Sequence, residues 1–147
     1  MRTFIYTLIS LILVTINVKA DTVNIEAAAK KAAIGHGLDP ELFIAILIVE
    51  SNLRVGAYNS DTNDHGIGQI NITTAKSFKL DIVRLKTDLE YSLNAAAIVL
   101  KDFQKRYKKK EPDMFYCRYN IGSGKLVGIK LRRCLKYIEK VEKAMLY

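Results

Sequence analysis

The strongest pattern along the chain is an unbroken apolar run of eight residues, from Leu42 to Val49. Helix-start residues stand directly before it, because Asp39 suits the N-cap, Pro40 the first helical position and Glu41 the first turn. A run that is apolar on every side is typical of an element buried in a core, and the start residues favour a helix over a buried strand. The run ends at Glu50, so a carboxyl group follows it directly.

Three further helices are expected on either side of this run. The Ala- and Lys-rich segment from Ile25 to Ile34 consists of strong helix formers and stops at two glycines. A long amphipathic helix is indicated by apolar residues at alternating steps of four and three, namely Leu89, Leu93, Ala96, Leu100, Phe103 and Tyr107. A last helix would present one face formed by Leu131, Leu135, Ile138, Glu142 and Met145. Glu142 interrupts that face unless Val141 turns inward instead.

The chain between the apolar run and the long amphipathic helix has a different character. Residues 53–68 are rich in turn formers, namely Gly56, Asn59, Ser60, Asp61, Asn63, Asp64, Gly66 and Gly68. Such residues predict loops with a short hairpin, and we expect this stretch to lie outside the core. From Asp21 onward the pattern therefore predicts one mainly helical domain with a small, loop-rich lobe.

Composition and charge narrow the class of protein. With 147 residues, 50% hydrophobic and 26% charged, the chain fits one globular domain and is too short for two full cores. A net charge of +8 favours an anionic partner, and nucleic acid, anionic lipid and a bacterial cell wall all fit. Only two cysteines are present, which excludes zinc ribbons and disulfide-dense mini-proteins.

The N-terminus predicts export. Arg2 is followed by an uncharged, apolar stretch from Thr3 to Val18 and then by a small-x-small pattern that ends at Ala20. This layout is typical of a signal peptide over residues 1–20, although an uncleaved membrane anchor stays open. Removal of these residues takes away Arg2 and Lys19 and no acidic residue, so the exported chain would remain basic. We expect a monomer in the periplasm or cell envelope, with contact to the membrane only through the signal segment.

Export changes how Cys117 and Cys134 are interpreted. In an oxidising compartment they can close a structural disulfide, which is the interpretation that we favour. The alternative is a nucleophilic cysteine served by His36 or His65. Neither histidine has a second ligand at metal-binding spacing, so we predict no metal.

The position of Glu50 allows two interpretations. Its neighbours one turn back are Ile46 and Leu47, and desolvation by such an apolar wall would raise the pKa of the carboxyl and suit it to general acid catalysis. Alternatively, Glu50 is only the first polar residue after a core helix, exposed to water and inert. The layout of the helix alone favours this second interpretation.

Three segments in order change that balance. The segments Glu50-Ser51-Asn52, Gly66-Ile67-Gly68-Gln69-Ile70-Asn71 and Tyr119-Asn120-Ile121-Gly122 resemble the signature segments of lysozyme-like lytic transglycosylases of the family-1, soluble lytic transglycosylase, type. The stretch Asp88-Leu89-Glu90-Tyr91-Ser92-Leu93 resembles a degenerate fourth segment. The resemblance covers roughly residues 25–145, and its strength lies in the order and spacing of the segments together.

The resemblance implies an α+β, mainly α, lysozyme-like fold in which a helical body and a small hairpin lobe flank a cleft. Residues 21–147 would form a catalytic domain that cleaves the β-1,4 bond between N-acetylmuramic acid and N-acetylglucosamine in peptidoglycan glycan strands, without a cofactor. Glu50 would act first as acid and then as base, which yields a 1,6-anhydro product. Gln69 would hydrogen-bond near the cleaved bond or to the acid, Tyr119 and Asn120 would contact the reacting sugar, and Ser51 would help orient Glu50.

Two positions depart from the family pattern. Gly68 stands where these enzymes usually have Met, which would remove an apolar side chain from the cleft and leave a more flexible backbone. Arg118 replaces the Ala before the Tyr-Asn pair. Both departures bear on how the substrate fits, and neither touches the acid.

Rival functions remain open. The stretch Asn59 to Asn71 also resembles animal-type lysozymes, with Asp64 at the position of their second catalytic carboxylate, so a retaining hydrolase using Glu50 and Asp64 is an alternative. Asp64 as a turn residue is the interpretation that we favour. A third hypothesis is a wall-binding assembly factor without turnover, and a secretion, conjugation or phage apparatus is a conceivable partner. The basic run from Lys105 to Lys110 is expected to be a solvated helix end rather than a nucleic-acid site.

Overall fold

The computed structural model describes residues 24–146, so the expected signal segment, residues 1–20, lies outside the described part of the chain. Seven helices and a three-stranded sheet make up this part. The helices are α1 (24–35), α2 (Pro40–Ser51), α3 (Ile72–Ser77), α4 (Ile82–Thr87), α5 (Leu89–Tyr107), α6 (Cys117–Ile121) and α7 (Gly128–Ala144). The strands are β1 (Tyr58–Asn59), β2 (Asp64–His65) and β3 (Ile70–Asn71). This architecture confirms the expected α+β, mainly helical, lysozyme-like fold.

Helix α2 forms the centre of the core, as its apolar run predicts. The Asp39 carboxylate caps the helix by accepting from the backbone N–H groups of Glu41 and Leu42, at 2.9 and 3.0 Å. Its buried members are Phe43, Ala45, Ile46, Leu47 and Ser51. The helix stops at Asn52, whose left-handed backbone has a φ of 53°.

Helices α5 and α7 also contribute buried residues to the core. The predicted buried face is confirmed for α5 and wrong for α7. In α5 the predicted face is confirmed, since Leu93, Ala96, Leu100 and Phe103 are all buried. In α7 the predicted face is wrong. The buried residues there are Cys134, Tyr137 and Val141, whereas Leu135 and Met145 are 52% and 42% exposed. This register keeps the Glu142 charge in solvent, and the alternative in which Val141 turns inward is the one observed.

The small lobe consists of an antiparallel sheet in the order β1-β2-β3, in which His65 pairs with Tyr58 on one side and with Ile70 on the other. The expectation that residues 53–68 lie outside the core is wrong for part of the stretch, because Ile67 is fully buried and Leu53 nearly so. Gly66 explains the difference. Its φ is +75°, and a Cβ there would overlap the backbone carbonyl of Leu85 in α4. Here the glycine therefore marks a close approach of two backbone segments and not an exposed turn.

Helices α6 and α7 are joined covalently. The sulfur atoms of Cys117 and Cys134 are bonded at 2.06 Å, and both residues are fully buried. Within residues 24–146, no helix combines the length and the apolar character needed to cross a membrane.

Replacing both cysteines with alanine is expected to lower the free energy of unfolding by about 3 kcal/mol, because the bridge restricts the unfolded chain. The closed loop spans a sequence separation of 17. Urea unfolding with and without reductant measures the effect. Reductant should destabilise the wild type and leave the Cys117→Ala/Cys134→Ala protein unchanged, and an unaffected wild type would refute the expectation.

Candidate active site

A cavity of about 80 Å³ lies between the helical body and the small lobe. Its walls come from the C-terminal end of α2, from α3, α5 and α6, and from the sheet. The lining residues are Glu50, Asp64, Gln69, Ile70, Asn71, Thr74, Val99, Phe103, Tyr119 and Asn120. The fold therefore brings together Glu50, Asp64, Gln69, Tyr119 and Asn120 from the residues that the sequence suggested for the site, and it leaves Ser51 outside the lining.

The Glu50 carboxyl lies at the inner wall of this cavity. Burial raises its pKa from the ordinary 4.5 to about 7, and the negative charge of Asp64 acts in the same direction. The hydrogen bond from Tyr137 and the positive charge of Lys140 act in the opposite direction. This burial does not match the interpretation of Glu50 as an exposed, inert helix end. At neutral pH a large fraction of the carboxyl is protonated, as a general acid requires.

Tyr137 is the partner of Glu50 that the sequence pattern did not indicate. Its hydroxyl donates to Glu50 Oε1 at 2.6 Å, across 87 residues of sequence. Burial, followed by the charge of Glu50, raises the pKa of Tyr137 well above its ordinary value, so the hydroxyl keeps its proton and remains a donor. The one available signal was the spacing of Tyr137 between Cys134 and Val141, which places all three on one helix face.

Tyr119 lines the cavity and is also tied to the lobe. Its hydroxyl donates to the backbone carbonyl of Gly68 at 2.7 Å. A Cβ on Gly68 would lie 2.6 Å from that hydroxyl and 2.7 Å from the Cβ of Ala96. The expectation that this position lines the cleft is therefore wrong. A side chain at position 68 would point into the core, and its absence lets the lobe approach Tyr119 and α5.

Gln69 and Asn120 reach the cavity from different elements, namely the turn before β3 and helix α6. Gln69 has a left-handed backbone with a φ of 45°, and its side-chain amide donates to the carbonyl of Gly66 at 3.0 Å. This bond holds the side chain over its own turn, so the amide donates to the turn and not to Glu50. Asn120, in α6, is exposed at the cavity rim.

Asp64 serves the sheet and faces the cavity at the same time. One carboxylate oxygen accepts from Thr62 Oγ1 at 2.5 Å, and the other accepts from Asn71 Nδ2 at 2.9 Å. These bonds support its interpretation as a residue that stabilises its own hairpin. Its place in the cavity lining keeps the second-carboxylate interpretation open.

Ser51 supports the site from behind. Its side chain is buried, and its hydroxyl donates to the carbonyl of Ile67 at 2.7 Å while accepting from the backbone N–H of Arg54 at 3.2 Å. Ser51 thus fixes the end of α2, and with it the backbone of Glu50, to the lobe. Its position is that of a positioning residue and not of a substrate contact.

Arg118, the other departure from the family pattern, lies away from the cavity. Its guanidinium forms a two-pronged bond with Glu111, at 2.9 and 2.6 Å, and lies over the ring of Tyr107. The side chain is only 2% exposed. Arg118 therefore anchors α6 to the end of α5 and does not alter the cavity wall.

The histidines do not join the site. His65 bonds to Asn63 at 2.9 Å, and burial, followed by the charge of Lys86, lowers the pKa of its ring. His36 bonds to Asn94 at 2.9 Å. Among the residues that the structure describes, no group of three or more His, Cys, Asp or Glu side chains is arranged to hold a metal ion.

Comparison with known protein families gives one match. The family model described as "Transglycosylase SLT domain" matches residues 27–133. This range includes Glu50, Gln69 and Tyr119 and ends just before Cys134. No curated protein and no solved structure matches the chain.

Glu50→Gln is expected to stabilise the fold by about 3 kcal/mol near pH 8 and to change little near pH 4. The pKa of Glu50 is about 7 in the folded protein against 4.5 ordinarily, so the contribution of this group to stability is fully present below about pH 4.5 and is lost as the pH rises from 4.5 through 7. Gln does not ionise, so the variant avoids the cost of burying a charged carboxylate at high pH. Urea unfolding at both pH values, with the exposed Glu139→Gln as control, measures the difference. Equal stability of wild type and Glu50→Gln near pH 8 would contradict the burial of the acid.

Proposed function

Because this chain belongs to the transglycosylase SLT domain family, we propose that it is a lytic transglycosylase that cleaves peptidoglycan glycan strands through Glu50. Family membership supports peptidoglycan cleavage of this general type. The observation that carries the finer proposal is the buried Glu50 carboxyl, with a pKa of about 7, in a cavity between body and lobe.

The first step is general acid catalysis. Protonated Glu50 donates its proton to the oxygen of the β-1,4 bond between N-acetylmuramic acid and N-acetylglucosamine, and the bond breaks as an oxocarbenium-like centre develops. The acetamido group of the substrate traps that centre. Ile70, Val99 and Phe103 form the apolar part of a cavity wall that is otherwise polar.

The second step uses the same carboxyl as a base. The oxygen of the sugar 6-hydroxyl attacks the anomeric carbon and displaces the acetamido oxygen, whose bond to that carbon breaks so that the acetamido group is restored. Glu50, now a carboxylate, accepts the proton of the 6-hydroxyl, so a 1,6-anhydro ring forms and no water is consumed. The hydroxyl of Tyr137 donates to the carboxylate and stabilises it between the two steps. A pKa near neutrality suits both steps, because one group must give and then take a proton.

Hydrolysis through Glu50 and Asp64 is the second candidate. Asp64 favours it because its carboxylate faces the cavity that Glu50 also lines. A retaining hydrolase needs such a group as nucleophile or as stabiliser of positive charge. We prefer the lyase, because the segment from Tyr119 to Gly122 follows the transglycosylase pattern.

We further propose that the protein is exported and acts as a monomer in the cell envelope. The signal-like segment over residues 1–20 supports export. Without that segment the chain keeps 21 basic against 15 acidic residues, or a net charge of +6, which supports retention on acidic wall polymers. An apparatus that must pass the wall, for secretion, conjugation or phage release, is the kind of machine that such an enzyme would serve.

Digestion of purified peptidoglycan by the wild type is expected to release 1,6-anhydro products. Glu50→Gln should abolish lysis and retain binding to the wall, because it removes the proton and keeps the shape. Asp64→Asn should keep most activity.

Mass spectrometry distinguishes anhydro ends from reducing ends, which differ by one water. Reducing ends together with an inactive Asp64→Asn protein would favour the hydrolase, and a wild type that binds but clears no zone in a cell-wall gel would favour a binding factor.

Tyr137→Phe is expected to move the alkaline limb of the kcat/KM profile to higher pH. The hydroxyl of Tyr137 stabilises the charged form of Glu50 and so lowers its pKa, and removal of that bond raises the pKa. Activity measured against pH on purified peptidoglycan tests this. Tyr116→Phe is the matched control, since Tyr116 is another buried tyrosine. A limb that stays in place would mean that the hydrogen bond does not tune the acid.

A further inference from the structure

A second cavity, of about 190 Å³, adjoins the candidate active site along α7. Its lining residues are Asn120, Arg133, Lys136, Tyr137 and Lys140. We call it the basic pocket, after Arg133, Lys136 and Lys140. Asn120 also lines the Glu50 cavity, and Tyr137 is hydrogen-bonded to Glu50, so the two cavities share a wall.

Helix geometry explains why these cations converge. Arg133, Lys136 and Lys140 stand at steps of three and four in α7, which places them on one face of the helix. All three are exposed, and the ion pairs found within residues 24–146 involve other residues. Lys136 and Lys140 form a like-charge pair one turn apart, which is unfavourable for an isolated helix. The charge of Lys140 also acts on Glu50, and a bound anion would relieve the repulsion between Lys136 and Lys140.

The place of the pocket limits what the anion can belong to. Asn120 lines both cavities, and Tyr137 in the basic pocket is hydrogen-bonded to Glu50, so a group bound in this pocket would be attached close to the bond that Glu50 cleaves. In peptidoglycan, N-acetylmuramic acid carries a short peptide on its lactyl group, and that peptide bears free carboxylates. This sugar is one of the two that flank the cleaved bond, so a productive complex with a peptide-bearing strand holds a peptide near the site.

We propose that the basic pocket binds a carboxylate of this peptide and that the enzyme therefore prefers strands that carry peptides over bare glycan. The inference rests on the proposed function and adds to it the class of strand. Guanidinium and ammonium groups form charge-assisted hydrogen bonds with carboxylates. The planar guanidinium of Arg133 can bind a carboxylate with two such bonds.

The test compares two double variants of equal charge on two substrates. Arg133→Gln/Lys136→Gln removes two cations of the pocket and leaves Lys140, which acts on Glu50, in place. Arg132→Gln/Lys143→Gln removes two exposed cations of the same helix that do not line the pocket. The substrates are peptide-bearing strands free of phosphate polymers and the same strands after an amidase has removed the peptides.

The pocket variant is expected to lose about tenfold in kcat/KM on peptide-bearing strands, as the loss of two partly exposed ion pairs implies. On bare strands the pocket variant should match the wild type. The control variant should match the wild type on both substrates. Equal losses on both substrates, or an equal loss in the control, would overturn the inference. A loss that arises only on walls with phosphate polymers would assign the pocket to phosphate and also overturn it.

The proposed function and this inference fail in different ways. A wild type that cleaves both kinds of strand equally well would refute the preference for peptides and leave the lyase intact. A wild type that cleaves neither would refute the proposed function and the inference together.

Discussion

The burial of one carboxyl group, that of Glu50, is the constraint on which the site depends. An acid placed at the end of an apolar helix is costly to ionise, and here burial raises its pKa to about 7. The cost follows from the same apolar run that forms the core, because Ile46 and Leu47 in the preceding turn are fully buried. The apolar run thus contributes both to the stability of the core and to the raised pKa of the acid.

The segment from Gly66 to Gly68 connects that acid to the rest of the cavity. Its three successive carbonyls each accept a side-chain donor from a different part of the fold: Gly66 from Gln69, Ile67 from Ser51 and Gly68 from Tyr119. Both glycines are required by space, since a Cβ on either would collide with a neighbouring element. The motif that resembles a family signature is therefore a backbone platform, and its side chains matter less than the room that they leave.

The features predictable from the sequence are those that depend on local chemistry. The cap at Asp39 and the periodicity of α5 determine their helices within a few residues, and both predictions hold. The prediction of the buried face of α7 failed because that face is set by packing against α2 and α6, which is a long-range property. Ile67 was missed for the same reason, since turn-forming glycines indicate exposure and close approach equally well. The convergence of Glu50, Gln69 and Tyr119 was expected only through family resemblance, because no periodicity relates residues so far apart.

Helix α7 shows why Tyr137, which the sequence pattern did not indicate, matters for the chemistry of Glu50. The disulfide to α6 and the buried Val141 fix its rotation, and that rotation directs Tyr137 inward to the acid and Lys140 outward beside it. Both groups lower the pKa of Glu50 against the effect of burial. In the proposed mechanism the same carboxyl must first give a proton and then take one, so its pKa must be neither very high nor very low. Burial raises that pKa, and Tyr137 and Lys140 on one face of α7 lower it, so the proposal depends on a helix whose side chains oppose the desolvation of Glu50.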